Sequence, residues 1–420
     1  MGKAKRKQRS FVDLLASARE YEEKAQYDKA YALYEEATEV YPDEVMGWVC
    51  RGALEDEISR HGTGLFGGKE SFGKALQLRI IPSILNDYGN ILLRNELRWK
   101  EAEKFYREAV IRHGMMAAAQ NLAVCLLNTA TVKKTPEGWC EAWQWYEQRE
   151  LHKLKDHDLL WRGEPLAGKR LMIQFEQGFG DHVWAMRFVK QAHDEGATTI
   201  CVAQPNTLRL LMSQDYVDEV YNIQEDSQFE ADYVTMLLSM PGYMLPNSMP
   251  VTVGKYINLP AQVVGTKPRV GICWHGSVDK GYQAWRNIEL DKLMKPLKKA
   301  RPDIEFVSLL KGKHAGDHPH IDIDRTEVGT CNDLWDTANL INSLDLVIST
   351  DTMIPHLSAA LGIETWILDR WSSCWQFGIQ GPDSDPHWYE HAEVFRQIKF
   401  NDWTPVIEEI TERLKKWELS

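Results

Sequence analysis

The stretch Leu344-Asp-Leu-Val-Ile-Ser-Thr-Asp351-Thr-Met-Ile-Pro-His-Leu-Ser-Ala-Ala-Leu-Gly362 decides how this chain folds. Leu346, Val347 and Ile348 read as a short buried strand, and Pro355 to Leu361 as the first turns of a helix that Gly362 closes. The turn from Ser349 through Asp351 and Thr352 to Met353 then lies at the carboxyl end of a strand and the positive end of a helix. Free N–H groups and the helix dipole suit that corner to a phosphate. The Thr352 hydroxyl and the His356 imidazole can add contacts. Two readings stay open on these residues alone: a site for the diphosphate of a nucleotide-sugar, or an ordinary turn in which Asp351 or Thr352 caps the helix.

Working outward, a second strand-turn segment lies at Arg170-Leu-Met-Ile-Gln-Phe-Glu-Gln-Gly-Phe-Gly-Asp181. Leu171 to Phe175 predicts a strand, Gly178 and Gly180 permit a tight turn, and Asp181 falls at or near the N-cap of the next helix. The Gly-x-Gly pair lacks the third glycine of a dinucleotide fingerprint, so a dehydrogenase is poorly supported. Asp181 reads either as a plain cap or as a general base toward an acceptor hydroxyl, with His182 the next candidate.

Glu176-Gln-Gly-Phe-Gly-Asp181 and Asp351-Thr-x-x-x-His356-Leu-x-x-Ala-Leu-Gly362 resemble the paired signatures of the ADP-heptose:lipopolysaccharide heptosyltransferase-like glycosyltransferases. The likeness is strongest to the bacterial and phage branch in which that domain follows tetratricopeptide repeats. Gly271-Ile-Cys-Trp-His-Gly276, Arg286-Asn-Ile, Phe306-Val-Ser-Leu-Leu-Lys-Gly312 and Phe395-Arg-Gln397 fall in the order of that branch, over about residues 140 to 415. The resemblance implies a GT-B fold, two Rossmann-like domains facing across a cleft, with the donor mainly on the C-terminal one. It also implies inversion at the anomeric carbon without a metal or other cofactor. The loop from Gly276 to Arg286 and Trp371-Ser-Ser-Cys-Trp375 depart from the family pattern, which argues against ADP-heptose itself as donor. Trp371, Trp375 and Trp388 read either as stacking groups for a base or sugar or as core.

The first third has a different rhythm. Leu14, Ala18, Tyr21, Ala30, Tyr34, Ala37 and Pro42 match tetratricopeptide spacing, as do Trp48, Gly52, Phe72 and Ala75, then Gly89, Ala102, Tyr106 and Ala109. Phe72 to Tyr106 and Ala75 to Ala109 keep the period of about 34 residues. A degenerate fourth copy runs through Leu122, Ala123, Leu126, Ala142 and Tyr146, and the helix Gly138 to Arg149 resembles the linker of this branch. Its Trp139, Trp143, Trp145 and Tyr146 predict packing at a junction. The insertion His61 to Gly68 reads as a flexible connector, because no Gly-Lys-Ser/Thr follows a strand there.

Beyond the repeats, strand and helix signals alternate, as in an α/β protein with parallel sheets. Strands are expected at 171–175, 199–203, 219–223, 233–237, 269–274, 306–310, 346–349 and 365–368. Pro260 to Pro268 marks a linker, and Pro405 to Trp417 resembles the terminal GT-B helix that packs back toward the N-terminal half. The expected fold is therefore α + α/β: repeats and linker helix at 1–155, an acceptor-side Rossmann-like domain at 156–265, and a nucleotide-sugar domain at 266–420. A catalytic half cut near Leu159 is expected to fold alone.

The 420 residues exceed the usual single domain, and seven scattered cysteines without a Cys-x-x-Cys pair suit reduced thiols rather than a disulfide frame or zinc site. A net charge of −12 disfavours a broad nucleic-acid-coating surface. The sequence reads without a signal peptide or a membrane-spanning apolar run, and the expected location is cytoplasmic; the basic start to Arg9 reads as a solvated tail. Ligands in open α/β sheets lie beyond the carboxyl ends of the strands. That rule gathers Trp274, His275, Lys311, Ser349, Asp351, Thr352, Met353 and His356 on one rim with Arg286, for the leaving diphosphate. Gly178, Gly180 and Asp181 face them from the other domain, Asp181 as base. The expected activity is sugar transfer from a nucleotide-diphosphate sugar to a protein, glycan or modified-nucleobase hydroxyl. The alternative is a repeat-based scaffold carrying an inactive fold. The repeats would recruit acceptor or partner, or mediate oligomerisation.

Overall fold

The structure, a computed structural model, describes residues 9–62, 66–133, 136–149, 153–154, 156–225, 228–245, 252–260, 267–276, 282–316, 319–377 and 388–419. The basic tail up to position 8, part of the 61–68 insertion, most of the 260–268 linker and half of the 276–286 loop lie outside these residues. The chain divides into two compact units, Met1–Cys125 with Lys280–Gln283, and Leu126–Asp279 with Ala284–Ser420.

The first unit is helical. Helices α1 (Phe11–Glu23), α2 (Tyr27–Val40), α3 (Val45–Gly62), α4 (Lys69–Leu78), α5 (Pro82–Arg94) and α6 (Trp99–Arg107) each pack on the next in sequence. This is the local stacking of a helical repeat array. Ser10 caps α1, its hydroxyl accepting from the Asp13 N–H at 3.2 Å. Small residues set the helix spacing. A methyl at Gly52 would sit 2.6 Å from the Phe72 ring, and one at Gly89 would sit 2.7 Å from Tyr106. The repeat positions that the spacing singled out are thus the points of closest approach. Gly52→Ala should cost about 1–3 kcal/mol through overpacking; chemical denaturation of the unit checks it, and an unchanged midpoint would mean that the Phe72 ring moves aside freely. The 61–68 insertion is not a free connector where it is described. Asn95 exchanges two hydrogen bonds with the Phe66 backbone (3.2 and 2.7 Å), the Gly67 N–H donates to Asp56 at 2.8 Å, and Gly68 takes a left-handed φ of +79°.

Helix α7 (Ala119–Lys133) runs across the unit boundary, and α8 (Pro136–Tyr146) lies within the second unit. The sequence reading ended the repeat region at 155. In the structure α8 packs against α11, described below.

In the second unit, β1 (Arg170–Gln174), α9 (Phe179–Asp194), β2 (Thr198–Ala203), α10 (Pro205–Met212), β3 (Glu219–Asn222), β4 (Tyr233–Met236) and α11 (Met240–Met244) form an N-terminal half. Its parallel sheet has the order β3-β2-β1-β4. The C-terminal half holds β5 (Arg269–Cys273), α12 (Leu290–Ala300), β6 (Glu305–Ser308), α13 (Thr326–Thr330) and α14 (Leu334–Ile341). It continues through β7 (Leu346–Thr350), α15 (Met353–Ala360), β8 (Glu364–Asp369), β9 (Ala392–Arg396) and α16 (Thr404–Lys416). These strands are also parallel, in the order β6-β5-β7-β8-β9. All five residues of β7 are buried, as expected of a strand covered on both faces. In each sheet the order reverses beside its first strand, at β1/β4 and β5/β7. Crevices at such switch points are where α/β sheets take ligands.

Two expectations are corrected. Strand β9 leaves no apolar run in the sequence, because at this sheet edge only Phe395 of its five residues is buried. Helix α16 packs on α12 and β9 of its own half; Arg301 donates to the Trp417 carbonyl at 2.7 Å, and the Trp417 indole to Glu364 at 2.9 Å.

Candidate active site

The β5/β7 switch point brings both of its turns together. Thr352 is the N-cap of α15, its hydroxyl accepting from the Ile354 N–H at 3.3 Å. Ser349 Oγ lies 3.3 Å and Cys273 Sγ 3.8 Å from the same Thr352 oxygen. Arg286 donates Nη1 to the Asp351 carbonyl at 2.7 Å, which holds the guanidinium at the start of α15. Gly276 makes room for it, since a methyl there would sit 2.6 Å from Arg286 Nε. The Gly276 N–H donates to Asn287 at 2.8 Å, tying the β5 turn to the residue after Arg286. Cation, hydroxyl and helix N-terminus therefore share one corner, with Met353 as the first helical residue. The Asp351 carboxylate faces Arg370 at 3.5 Å, both buried.

Other rim candidates are placed differently. Trp274 is buried, and its carbonyl accepts from the Ile288 N–H at 2.8 Å. His275 stacks on His314, ring centroids 4.0 Å apart. Lys311 donates to the Cys331 carbonyl. His356 is buried where the two halves meet; Nδ1 is 2.6 Å from the Tyr389 hydroxyl and the ring stacks on Phe377. Burial holds its pKa down at about 4, so this imidazole is neutral.

The opposing turn follows β1. Gly178, not Asp181, is the N-cap of α9; Asp181 is the third helical residue, and its Oδ2 accepts from the Gly178 N–H at 3.3 Å. Its Oδ1 accepts from Gln376 Nε2 at 3.2 Å. Desolvation raises the Asp181 pKa to about 6; Asp351 and Glu176 push the same way, while the bonds from Gln376 and Gly178 oppose them. The neighbouring His182 is turned into the core, between Phe175 and Phe179 and 3.2 Å from the Thr207 hydroxyl, with its pKa lowered to about 4 by burial.

The two signature turns touch. A methyl on Gly180 would lie 3.2 Å from the His356 ring and 3.6 Å from Met353 Cα, so a glycine here lets α9 and α15 meet end to end. Around this seam are contacts that sequence reasoning missed. Arg149 is buried and forms a two-bond ion pair with Glu176, Nε at 3.1 Å, and reaches Ser239 at 3.0 Å. Gln177 donates to the Tyr146 hydroxyl at 2.6 Å. Arg187 of α9 donates to the Trp388 carbonyl at 2.6 Å and to the Tyr256 hydroxyl at 3.1 Å. Trp139, Trp143, Trp184, Trp375 and Trp388 form one cluster, mostly edge-to-face, with centroids 4.9–6.2 Å apart. Trp139, Trp143 and Tyr146 of α8 thus pack in the core of the second unit together with Trp375 and Trp388, while Trp145 is half-buried with its indole donating to Glu141 at 3.3 Å. Of these five tryptophans the sequence singled out all but Trp184 as candidates for packing.

Among the described residues, one carboxylate trio has metal-binding spacing: Glu305, Asp324 and Glu327. It sits at the amino end of β6, away from the switch-point rim, and Arg269 already pairs with Glu305 and Glu327. No described helix is long and apolar enough to cross a membrane.

Two parallel Rossmann-like halves meeting at their switch points, preceded by helical repeats, define the architecture as GT-B-like. No family model matches the chain. Protein FlbA of Caulobacter vibrioides is 24% identical over 389 residues, 82% of this chain; the chain spans 63% of that relative's length. Among solved structures, a glycosyl transferase family 9 protein from Veillonella parvula is similar at 13% identity and a TM-score of 0.44, over 61% of this chain and 92% of its own. E. coli heptosyltransferase WaaC with ADP-2-deoxy-2-fluoro heptose is similar at 14% identity and a TM-score of 0.41, covering 58% and 99%.

Proposed function

We propose that this chain is a glycosyltransferase that moves a sugar from a nucleotide-diphosphate sugar to an acceptor hydroxyl, inverting the anomeric centre without a metal. The observation that carries the reading is the junction of the two signature turns, with the Asp181 carboxylate on one side and Thr352, Arg286 and the α15 N-terminus on the other. As the acceptor oxygen attacks the anomeric carbon, its proton passes to Asp181, and the bond from that carbon to the diphosphate oxygen breaks. Arg286, the Thr352 hydroxyl and the α15 N–H groups meet the charge that grows on the diphosphate. A pKa near 6 leaves Asp181 ionised at neutral pH yet basic enough to take the proton. The acceptor is a protein, a glycan or a modified nucleobase, recruited by the helical repeats.

A thermal-shift series with ADP, GDP, UDP and CDP at equal concentration identifies the nucleotide, because stabilisation rises with the logarithm of affinity. Arg286→Ala and Thr352→Ala should each weaken the best binder by about 1–3 kcal/mol in calorimetry. Thr352→Ser keeps the cap and should bind nearly as wild type. Unchanged affinity in both alanine variants would place the diphosphate elsewhere. No response to any nucleotide would favour the scaffold reading.

A further inference from the structure

The short turn between β8 and β9, Trp375-Gln376-Phe377, is fixed at both ends by aromatic packing. Trp375 inserts among Trp139, Trp143 and Trp184, with centroid distances of 6.2, 5.9 and 5.1 Å. Phe377 stacks on His356 at 4.8 Å with the ring planes 22° apart. Gln376, between them, is buried, and its side-chain amide crosses from the C-terminal half to Asp181 on the N-terminal half. Chemistry fixes which way the amide faces. The Cys374 thiol donates to Oε1 at 3.0 Å, so Nε2 is left for the carboxylate, which can only accept when ionised.

We propose that Gln376 is a positioning residue for the Asp181 base. Its amide and the Gly178 N–H each hold one carboxylate oxygen, so that the base is aimed only when the C-terminal turn is seated against it. The inference rests on the reading of Asp181 as base. It extends that reading by making the base a shared product of both halves.

The contact also tunes ionisation. The groups facing Asp181 are Gln376 and Cys374 from the β8–β9 turn, Asp351 from the β7 turn, Tyr146 from α8, and Gly178 and Glu176 from its own turn. Asp351 and Glu176 disfavour its charge, and the Gln376 amide favours it. Removing the amide therefore moves the Asp181 titration upward, a change that loss of packing alone would not single out.

The full chain labelled at the aspartate side-chain carboxyl carbons provides the test. The Asp181 resonance is identified by its loss in Asp181→Asn, and its midpoint is followed by NMR in wild type, Gln376→Ala and Gln376→Glu. The proposal expects a midpoint near 6 in wild type and a rise of at least about 0.5 unit in Gln376→Ala. Gln376→Glu, which keeps the shape but brings a second negative charge, should raise it further. A midpoint within about 0.2 unit of wild type in both variants, with unchanged thermal unfolding, would overturn the proposal. If the midpoint shifts but Asp181→Asn still transfers sugar at full rate, the positioning contact stands and the assignment of Asp181 as base falls.

Discussion

Asp181→Asn is expected to slow sugar transfer by about 10²–10⁴-fold, the usual contribution of a positioned general base. The substitution is nearly isosteric; its single oxygen can still accept the Gly178 N–H that closes the first turn of α9, and a flip of the Gln376 amide lets Oε1 accept from the new amide nitrogen. Thermal unfolding and nucleotide affinity should therefore stay close to wild type, and the loss should appear in the chemical step. The pH profile gives a second check. With a pKa near 6, wild-type activity should fall roughly tenfold per pH unit below pH 6, as the carboxylate takes up a proton and can no longer accept one. A variant that transfers at near wild-type rate would reduce Asp181 to a helix-end residue. His182 would not inherit the role, because its ring is buried against Phe175 and Phe179.

What the sequence discloses of this fold follows from how far apart its determinants lie. The β7–α15 turn is readable because its signals are adjacent: a five-residue strand buried on both faces, a Thr352 cap, and Gly362 at φ +80° closing the helix. The repeat spacing is readable for the same reason, since Gly52 and Phe72 meet within one helical hairpin. The two turns could be assigned to opposing rims by strand order alone, and Arg286 does reach Asp351. Side-chain direction is another matter. Lys311 follows β6 at the correct rim, yet its ammonium goes to the Cys331 carbonyl; His356 lies in the right helix but turns into the seam. Least legible are the pairs that span the chain, Arg187 with Trp388 and Gln376 with Asp181. Their partners lie about two hundred residues away, so no local periodicity records them.

The largest expected effect on stability comes from another such pair. Arg149→Met should destabilise the α/β unit by about 3–5 kcal/mol, because it leaves Glu176 charged and unpaired in a buried site. Tryptophan fluorescence during denaturation reports on it directly, since Trp139, Trp143 and Trp184 cluster in the same unit. Glu176 also accepts from the Leu238 N–H at 3.3 Å, so its carboxylate ties the β1 turn to the residues after β4 at the N-terminal switch point. Arg149, at the end of the linker segment, is thus part of the frame that holds the Gly178–Asp181 turn in place. The double variant Arg149→Met, Glu176→Gln removes both charges and should recover much of the loss. The same pair bears on where the chain can be cut. A fragment beginning near Leu159 lacks α8 and Arg149 and strips three partners from the tryptophan cluster and the Glu176 site. One beginning at Ala119 keeps them and should give cooperative unfolding by circular dichroism. If the shorter fragment unfolds as cooperatively and binds nucleotide as tightly as the longer one, the linker helix is an accessory to the α/β unit rather than a wall of it.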